Sequence, residues 1–299
     1  MNYQYNLSVI IPHHNIPDLL ERCLDSIPEK DDVQIIVVDD NSSEDIVDFN
    51  NFPGNNRKNV TCVFDKKGGR AGYARNKGID LAQGKWILFA DADDFFEQGL
   101  YENVSEWFNS DADLILFKLD SKDSVTMEQS DRHLVLNKAI DDALNGKISE
   151  VDAVLALQGP TFKMISHKFL TENNIRFEEI ICTEDVVFVT KLACWANKIQ
   201  IVNKSLYVLT TRQDSLSEKS KKDPEKFLCS VGAFIRRNKL YGQYNKEKRP
   251  VILYFWQARK LGFKTMCKTL WLIIRKGAIF SGFSTFLKIV CNHLKCSKG

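Results

Sequence analysis

Several apolar runs in this chain do not alternate with polar residues, and they limit the folds open to it. Residues 7–11 (LSVII), 33–40 (VQIIVVDD) and 85–90 (KWILFA) are each almost continuously apolar until they meet a proline or an acid. A strand with one wet face alternates, so unbroken runs suit strands covered on both faces, as in a parallel sheet. NVTCVF (59–64) is a further strand candidate. Between the runs, DLLERCLDSI (18–27) places Leu19, Leu20, Cys23, Leu24 and Ile27 at helical spacing, and KKGGRAGYARNKGIDLAQG (66–84) is a glycine-rich loop entering a helix. Strand–helix–strand order predicts a Rossmann-like α/β half-domain, whose ligands gather beyond the carboxyl ends of the strands. Asp39 and Asp40 end the second strand and Asp91 and Asp93 the fourth, so both pairs are expected to open on one crevice.

Farther along, LYENVSEWF (100–108) has a helical pattern and ADLILFKL (112–119) a strand pattern. FKMISHKFLTENNI (162–175) is expected to be helical, TEDVVFVTKLACWA (183–196) to be a helix capped by Thr183, and KIQIVNKSLYVLTT (198–211) to form one or two strands. The net charge of +2 hides a division: residues 219–299 hold 19 Lys and Arg against three acids, and the remainder is acidic. Within that basic region, residues 253–276 put Lys260, Lys264, Lys268 and Arg275 on one helical face and Trp256, Phe263, Met266, Leu270, Ile273 and Ile274 on the other. Aromatics opposite lysines suit an anionic membrane surface better than nucleic acid, and such a helix can also pack on its own protein.

The stretch ILFADADDFF (87–96) crowds Asp91, Asp93 and Asp94 behind a strand. Like charges this close raise one another's pKa unless a cation lies among them, so the stretch is either a solvated acidic turn or a divalent-cation site. Asp39 and Asp40 in DDNSSED fit an Asx turn and helix cap as well as a ligand contact. Arg75 can form a salt bridge to the strand-end carboxylates or meet a phosphate. The five histidines have no metal-ligand spacing, and no GK[ST] phosphate loop is present. The eight cysteines are scattered without a CxxC pair, which suits reduced thiols. The N-terminus lacks a signal-peptide pattern and no apolar run is long enough to span a bilayer, so a cytoplasmic protein, peripheral at the inner face of the cytoplasmic membrane, is expected.

Four blocks in order, VIIPHHN (9–15), IIVVDDNSSED (35–45), GYARNKGIDLAQGKWILFADADD (72–94) and TEDVVF (183–188), resemble the family 2 glycosyltransferases of GT-A fold. The resemblance spans residues 7–215 and departs from the family's pattern at His13 and His14, after the first-strand proline. It implies a Rossmann-like mixed sheet flanked by helices, here with a basic helical C-terminal extension: a catalytic domain over 1–215 and an amphipathic region over 216–299. It implies an inverting, metal-dependent transferase moving a sugar from a nucleotide donor, a UDP-sugar, to a glycan or lipid-linked acceptor in bacterial surface polysaccharide synthesis. Asp93, with Asp91, would hold Mn²⁺ or Mg²⁺. Pro12, Asp39, Asp40, Arg75, Asn76, Asp91 and Arg212 would bind the nucleotide-sugar. Asp185 would be the catalytic base, with Glu184 on the acceptor, although the two can exchange roles. The alternatives are a sugar-nucleotide nucleotidyltransferase, which wants a glycine-rich basic loop after the first strand where VIIPHHN has none, and a non-catalytic nucleotide-sugar-binding protein.

Overall fold

A computed structural model describes residues 2–211, 222–283 and 285. The chain divides into two compact units, Met1–Glu179 with Lys191–Gln213, and Ile180–Thr190 with Asp214–Gly299.

The first unit is built on an eight-stranded sheet in the order β3-β2-β1-β4-β7-β6-β8-β5. Its strands are β1 (Tyr5–His13), β2 (Val33–Asp40), β3 (Val60–Asp65), β4 (Gly84–Phe89), β5 (Phe95–Phe96), β6 (Leu114–Asp123), β7 (Lys163–Ser166) and β8 (Ile199–Thr211). β1 to β4 are mutually parallel; β7 runs antiparallel between β4 and β6, and β5 antiparallel along β8. All eight residues of β2 are buried, which explains why its run does not alternate.

β1 continues through Pro12 to His13, beyond the stop expected at the proline. The Ile10 carbonyl accepts from the Ala90 N–H, so two residues on, the face where Pro12 lacks its N–H points the same way. Pairing with β4 ends at Ile10↔Phe89, whereas pairing with β2 runs on to His13↔Asp39. Pro12 therefore removes no ladder bond.

Helix α1 (Pro17–Asp25) has proline in its first turn and buries Leu20, Cys23 and Leu24, a three-and-four spacing on one face. Helix α2 (Arg70–Leu81) lies against β1 and β2. α3 (Leu100–Ser105), α4 (Arg132–Leu144) and α5 (Glu150–Ala156) follow. The segment expected to be one helix over 162–175 is instead β7 followed by α6 (His167–Glu172), with Ser166 capping the helix by accepting from the Phe169 N–H. Lys163–Ile165 are fully buried between two neighbouring strands, so tertiary pairing overrides a local pattern that fits either period. β8 is one long strand with two register shifts against β6, between Val202 and Tyr207, which re-aim the residues that follow.

The second unit contains α8 (Pro224–Gln243), α9 (Ile252–Ala258) and α10 (Phe263–Arg275), and α7 (Asp185–Trp195) begins in it. Asp223 caps α8 by accepting from the Glu225 and Lys226 N–H groups, with Pro224 at the first helical position. Val231, Ile235, Val251, Ile273 and Ala278 form its core, with Tyr254, Phe255 and Leu272 packed around them. The line that α10 buries is Thr265, Thr269 and Ile273; of the apolar face expected for it, Ile273 is buried, Met266 and Leu270 are half-buried, and Phe263 and Ile274 are exposed. Both threonine hydroxyls donate to carbonyls one turn back, those of Leu261 and Thr265, so they are buried without loss. Phe263, Trp271 and Ile274 remain exposed beside Lys264, Lys268 and Arg275.

Gly84 opens β4 where two backbones nearly touch: a Cβ there would lie 2.4 Å from the Ser8 nitrogen. Gly84→Ala is expected to lower the unfolding free energy by about 1–3 kcal/mol in urea titration. Gly159→Ala, whose new Cβ would meet only ordinary contacts, should stay within about 0.5 kcal/mol.

Candidate functional site

The carboxyl end of β4 holds the acidic stretch, and burial sorts its members. The Ala90 N–H bonds to Ile10, after which the Asp94 N–H bonds back to the Asp91 carbonyl and closes a tight turn. Ala92 and Asp94 point inward at 3% and 4% exposure, while Asp91 and Asp93 are partly exposed. The three acids are thus not equivalent.

Asp91 is paired with Arg75 of α2, whose Nη2 lies 2.6 Å from Oδ1. The Arg75 guanidinium is almost buried and lies 5.3 Å from the Phe177 ring centroid. The salt bridge weighed for Arg75 is therefore present. Asp94 accepts from the Thr210 N–H at 2.6 Å and from the Tyr207 hydroxyl, which itself accepts from the Asp91 N–H at 2.8 Å. Burial, and then the charges of Asp91 and Asp93, push the Asp94 carboxyl well above the ordinary range despite those bonds. The same burial and neighbouring acids push the Tyr207 phenol and the Cys23 thiol upward, so both stay protonated, and the Tyr207 hydroxyl is the one that donates to Asp94. The Asp93 carbonyl is held by Arg22 Nη2 at 2.6 Å and the Thr210 hydroxyl at 2.8 Å, which fixes the backbone on which the Asp93 carboxylate is mounted.

At the end of β2, two strands away, Asp39 is 1% exposed. Its carboxylate accepts from His13 Nδ1 at 2.7 Å and from the hydroxyl and N–H of Ser42. His13 Nε2 in turn accepts from the Ile16 N–H, which fixes the proton on Nδ1. Burial opposes ionisation of Asp39, but the hydrogen bonds from His13 and Ser42 outweigh it and hold the carboxyl below its ordinary range. Asp40 accepts from the Gly69 N–H at 2.7 Å and the Arg70 N–H at 2.5 Å. Arg70 has a left-handed φ of +70° after a right-handed Gly69, the alternation that turns successive N–H groups onto one anion. The carboxylates of Asp39 and Asp40 thus face their own chain. Pro12 sits one residue before His13 on the same rim.

Asn76 is locked to Phe177, accepting from its N–H at 2.9 Å and donating to its carbonyl at 3.1 Å. Glu184 and Asp185 lie in the second unit, where Asp185 is the first residue of α7. The Thr183 hydroxyl bonds to Ser230 at 2.6 Å, and its φ of +63° is not that of the helix cap expected from sequence. Arg212 lies outside the described residues.

Sequence reasoning missed Arg22, Tyr207, Thr210 and the pairing of His13 with Asp39, whose partners come from separate elements; the Ser42 bonds to Asp39 are the local turn expected for DDNSSED. It also missed Lys163, fully buried in β7, whose Nζ donates to the Leu157 and Gly159 carbonyls. Because β7 runs antiparallel to β4, that loop borders the acidic end of β4.

Among the described residues no group of three or more His, Cys, Asp or Glu is placed to enclose a metal ion. Mg²⁺-like cations bound with phosphates take only one or two protein carboxylates, and the partly exposed Asp91 and Asp93 supply that oxygen-only donor set. The residues present fit such a cation.

The family model described as glycosyl transferase family 2 matches residues 8–169. The chain is 28% identical over 74% of its length to the poly(ribitol-phosphate) beta-glucosyltransferase of Bacillus spizizenii, covering 35% of that protein. It is 23% identical over 98% of its length to the minor teichoic acid biosynthesis protein GgaB of Bacillus subtilis, covering 33% of it. It thus spans about a third of each of these curated relatives. A crystal structure of S. aureus TarS 1–349 in complex with UDP-GlcNAc superposes with a TM-score of 0.61 at 17% identity, over 95% of this chain and 92% of that one. The mixed, helix-flanked sheet is the GT-A fold.

The buried Asp94 has a consequence for stability. An acid whose folded pKa is raised weakens the fold as pH climbs from about 4, where the unfolded aspartate ionises, towards its folded value. Asparagine keeps an acceptor oxygen for the Thr210 N–H without the charge. Asp94→Asn should match the parent near pH 4 and become progressively more stable than it towards neutrality, measured by urea midpoints across that range. A constant difference at every pH contradicts this.

Proposed function

The chain belongs to glycosyl transferase family 2, and on that premise we propose that it transfers a sugar from a UDP-sugar donor to a glycan of the bacterial surface, inverting the anomeric centre. The observation that carries this reading is the Asp91–Asp93 pair: partly exposed carboxylates on a backbone fixed by Arg22, Thr210 and Tyr207, at the end of a parallel strand. Donors and acceptors named for similar proteins agree with it, namely the UDP-GlcNAc of the TarS complex and the poly(ribitol-phosphate) of the Bacillus relative.

Asp93 and Asp91 would hold Mg²⁺ or Mn²⁺, which when bound supplies positive charge to the diphosphate leaving group. Arg75 orients Asp91 by its direct pairing. Asp39 and Asp40 act from behind, setting the segments at 13–16 and 69–70 that border the crevice, while Pro12 shapes the rim against the nucleotide. Asn76 holds the 177–179 segment. In the single displacement, the acceptor oxygen bonds to the anomeric carbon, the bond from that carbon to the diphosphate oxygen breaks, and the acceptor proton passes to Asp185. Glu184 contacts the acceptor, and Arg212 the diphosphate.

The second unit bears the membrane half of the proposal. Trp256, Phe263, Trp271, Ile274 and Phe280 are 57–76% exposed and interleaved with lysine and arginine, as an anionic bilayer surface requires. No helix among the described residues is long and apolar enough to cross a membrane. Replacing Trp271 and Phe280 together by serine should weaken flotation with phosphatidylglycerol vesicles by about ten-fold or more, given roughly 1.5–3 kcal/mol for each large apolar side chain buried. Unchanged flotation removes this surface from the proposal.

Catalysis is tested by separating binding from turnover. Asp93→Ala should lose metal-stimulated UDP binding in calorimetric titration. Asp185→Asn should bind UDP like the parent and transfer about 10²–10⁴-fold more slowly, the usual contribution of a general base. Transfer by Asp185→Asn at the parent rate overturns that assignment.

A further inference from the structure

The second unit buries a positive charge on which no acid among the described residues acts. Arg237 of α8 is 0% exposed, and among the described residues its Nε, Nη1 and Nη2 have no hydrogen-bond partner. Its guanidinium carbon lies 4.6 Å from the Phe234 ring centroid and 5.2 Å from that of Tyr241. Aromatic contact offsets part of the lost hydration, but it engages the guanidinium faces and leaves the donors at the edge unanswered. A guanidinium carries five such donors and does not shed its charge, and leaving it unpaired in the interior is destabilising.

The surroundings add positive charge. The ionisable neighbours that act on Arg237 are Arg249, Tyr241 and Tyr254, none of them an acid. Burial first, and then Arg249, push the guanidinium below its ordinary range. Arg249 is tied to the next residue of α8: its N–H donates to Asn238 Oδ1 at 3.2 Å and its carbonyl accepts from Asn238 Nδ2 at 2.7 Å. Asn238 Nδ2 also reaches the Ser281 hydroxyl at 2.9 Å, which fastens the segment on a third side. The backbone of an exposed arginine is thus fastened to the residue that follows a buried one, and its charge acts on that buried guanidinium.

We propose that Arg237 and Arg249 form a binding site for a phosphate-class anion, with the edge of the Arg237 guanidinium as its floor and Arg249 at its entrance. Two arginines offering forked donors suit a phosphate monoester or diester, either a free phosphate or a lipid headgroup. The site is separate from the sugar-transfer reading and does not depend on it.

The full chain is unfolded thermally while inorganic phosphate replaces chloride at constant ionic strength, and its flotation is measured with phosphatidylcholine vesicles with and without phosphatidic acid. If free phosphate is the ligand, the parent midpoint rises saturably. Arg237→Met then loses that response while starting no lower than the parent in chloride, because an unpaired buried charge has been removed. Arg249→Ala, at an exposed position that keeps the fold, raises the half-saturating phosphate by about ten-fold, the loss of one charged hydrogen bond. If a headgroup is the ligand, the phosphate response is absent and the two variants instead lose the flotation that phosphatidic acid adds. Should Arg237→Met fail to fold, Arg249→Ala decides in either arm. A phosphate response or phosphatidic-acid flotation identical in parent and variants, or no parent response to either probe, overturns the proposal.

Discussion

Burying Asp94 is what allows three carboxylates to share one turn. As free ions, Asp91, Asp93 and Asp94 would repel one another strongly enough to open the end of β4. Instead Asp94 is driven towards its neutral form beneath Tyr207 and the Thr210 N–H, Asp91 is matched by Arg75, and Asp93 stands between them on a carbonyl held by Arg22 and Thr210. One acid serves as structure, one as half of an ion pair, and one is mounted on a fixed backbone at the rim. The bulged course of β8 belongs to the same arrangement, since the register shifts end at Tyr207, three residues before Thr210.

The strand ends of β1 and β2 follow a comparable logic. Asp39 and Asp40 both satisfy donors of the protein itself, His13 and Ser42 in one case and the Gly69 and Arg70 amides in the other. An acidic strand end in an α/β sheet therefore need not point at a ligand. Here the carboxylates organise the loops that follow their strands, and Asp40 accepts from both N–H groups of the Gly69–Arg70 turn in the glycine-rich loop.

Much of this architecture could be read from sequence, because β1, β2 and β4 are unbroken apolar runs whose composition reports burial on two faces. The acids at their ends were legible for the same reason, since a strand's termination places them. What could not be read depended on partners far along the chain. Nothing in SLYVLT marks Tyr207 as the lid over Asp94, and nothing in α1 marks Arg22 as a donor to the Asp93 carbonyl. The β7 segment was misjudged because FKMIS fits two periods and only pairing with β4 and β6 decides between them. On α10 the buried line is displaced by one position from the expected face: Thr265 and Thr269, whose hydroxyls bond within the helix, are buried with Ile273, Met266 and Leu270 are half-buried, and Phe263 and Trp271 are left outside.

In the proposed function, Asp91 and Asp93 hold a divalent cation against the diphosphate of a nucleotide donor. Crystals grown with UDP and manganese, measured at a wavelength where manganese scatters anomalously, test it most directly. An anomalous peak beside Asp93, with the diphosphate next to it and Asp94 still enclosed by Tyr207, is the expected result. UDP bound elsewhere in the chain, or bound at this strand end with no manganese beside either aspartate, would contradict it.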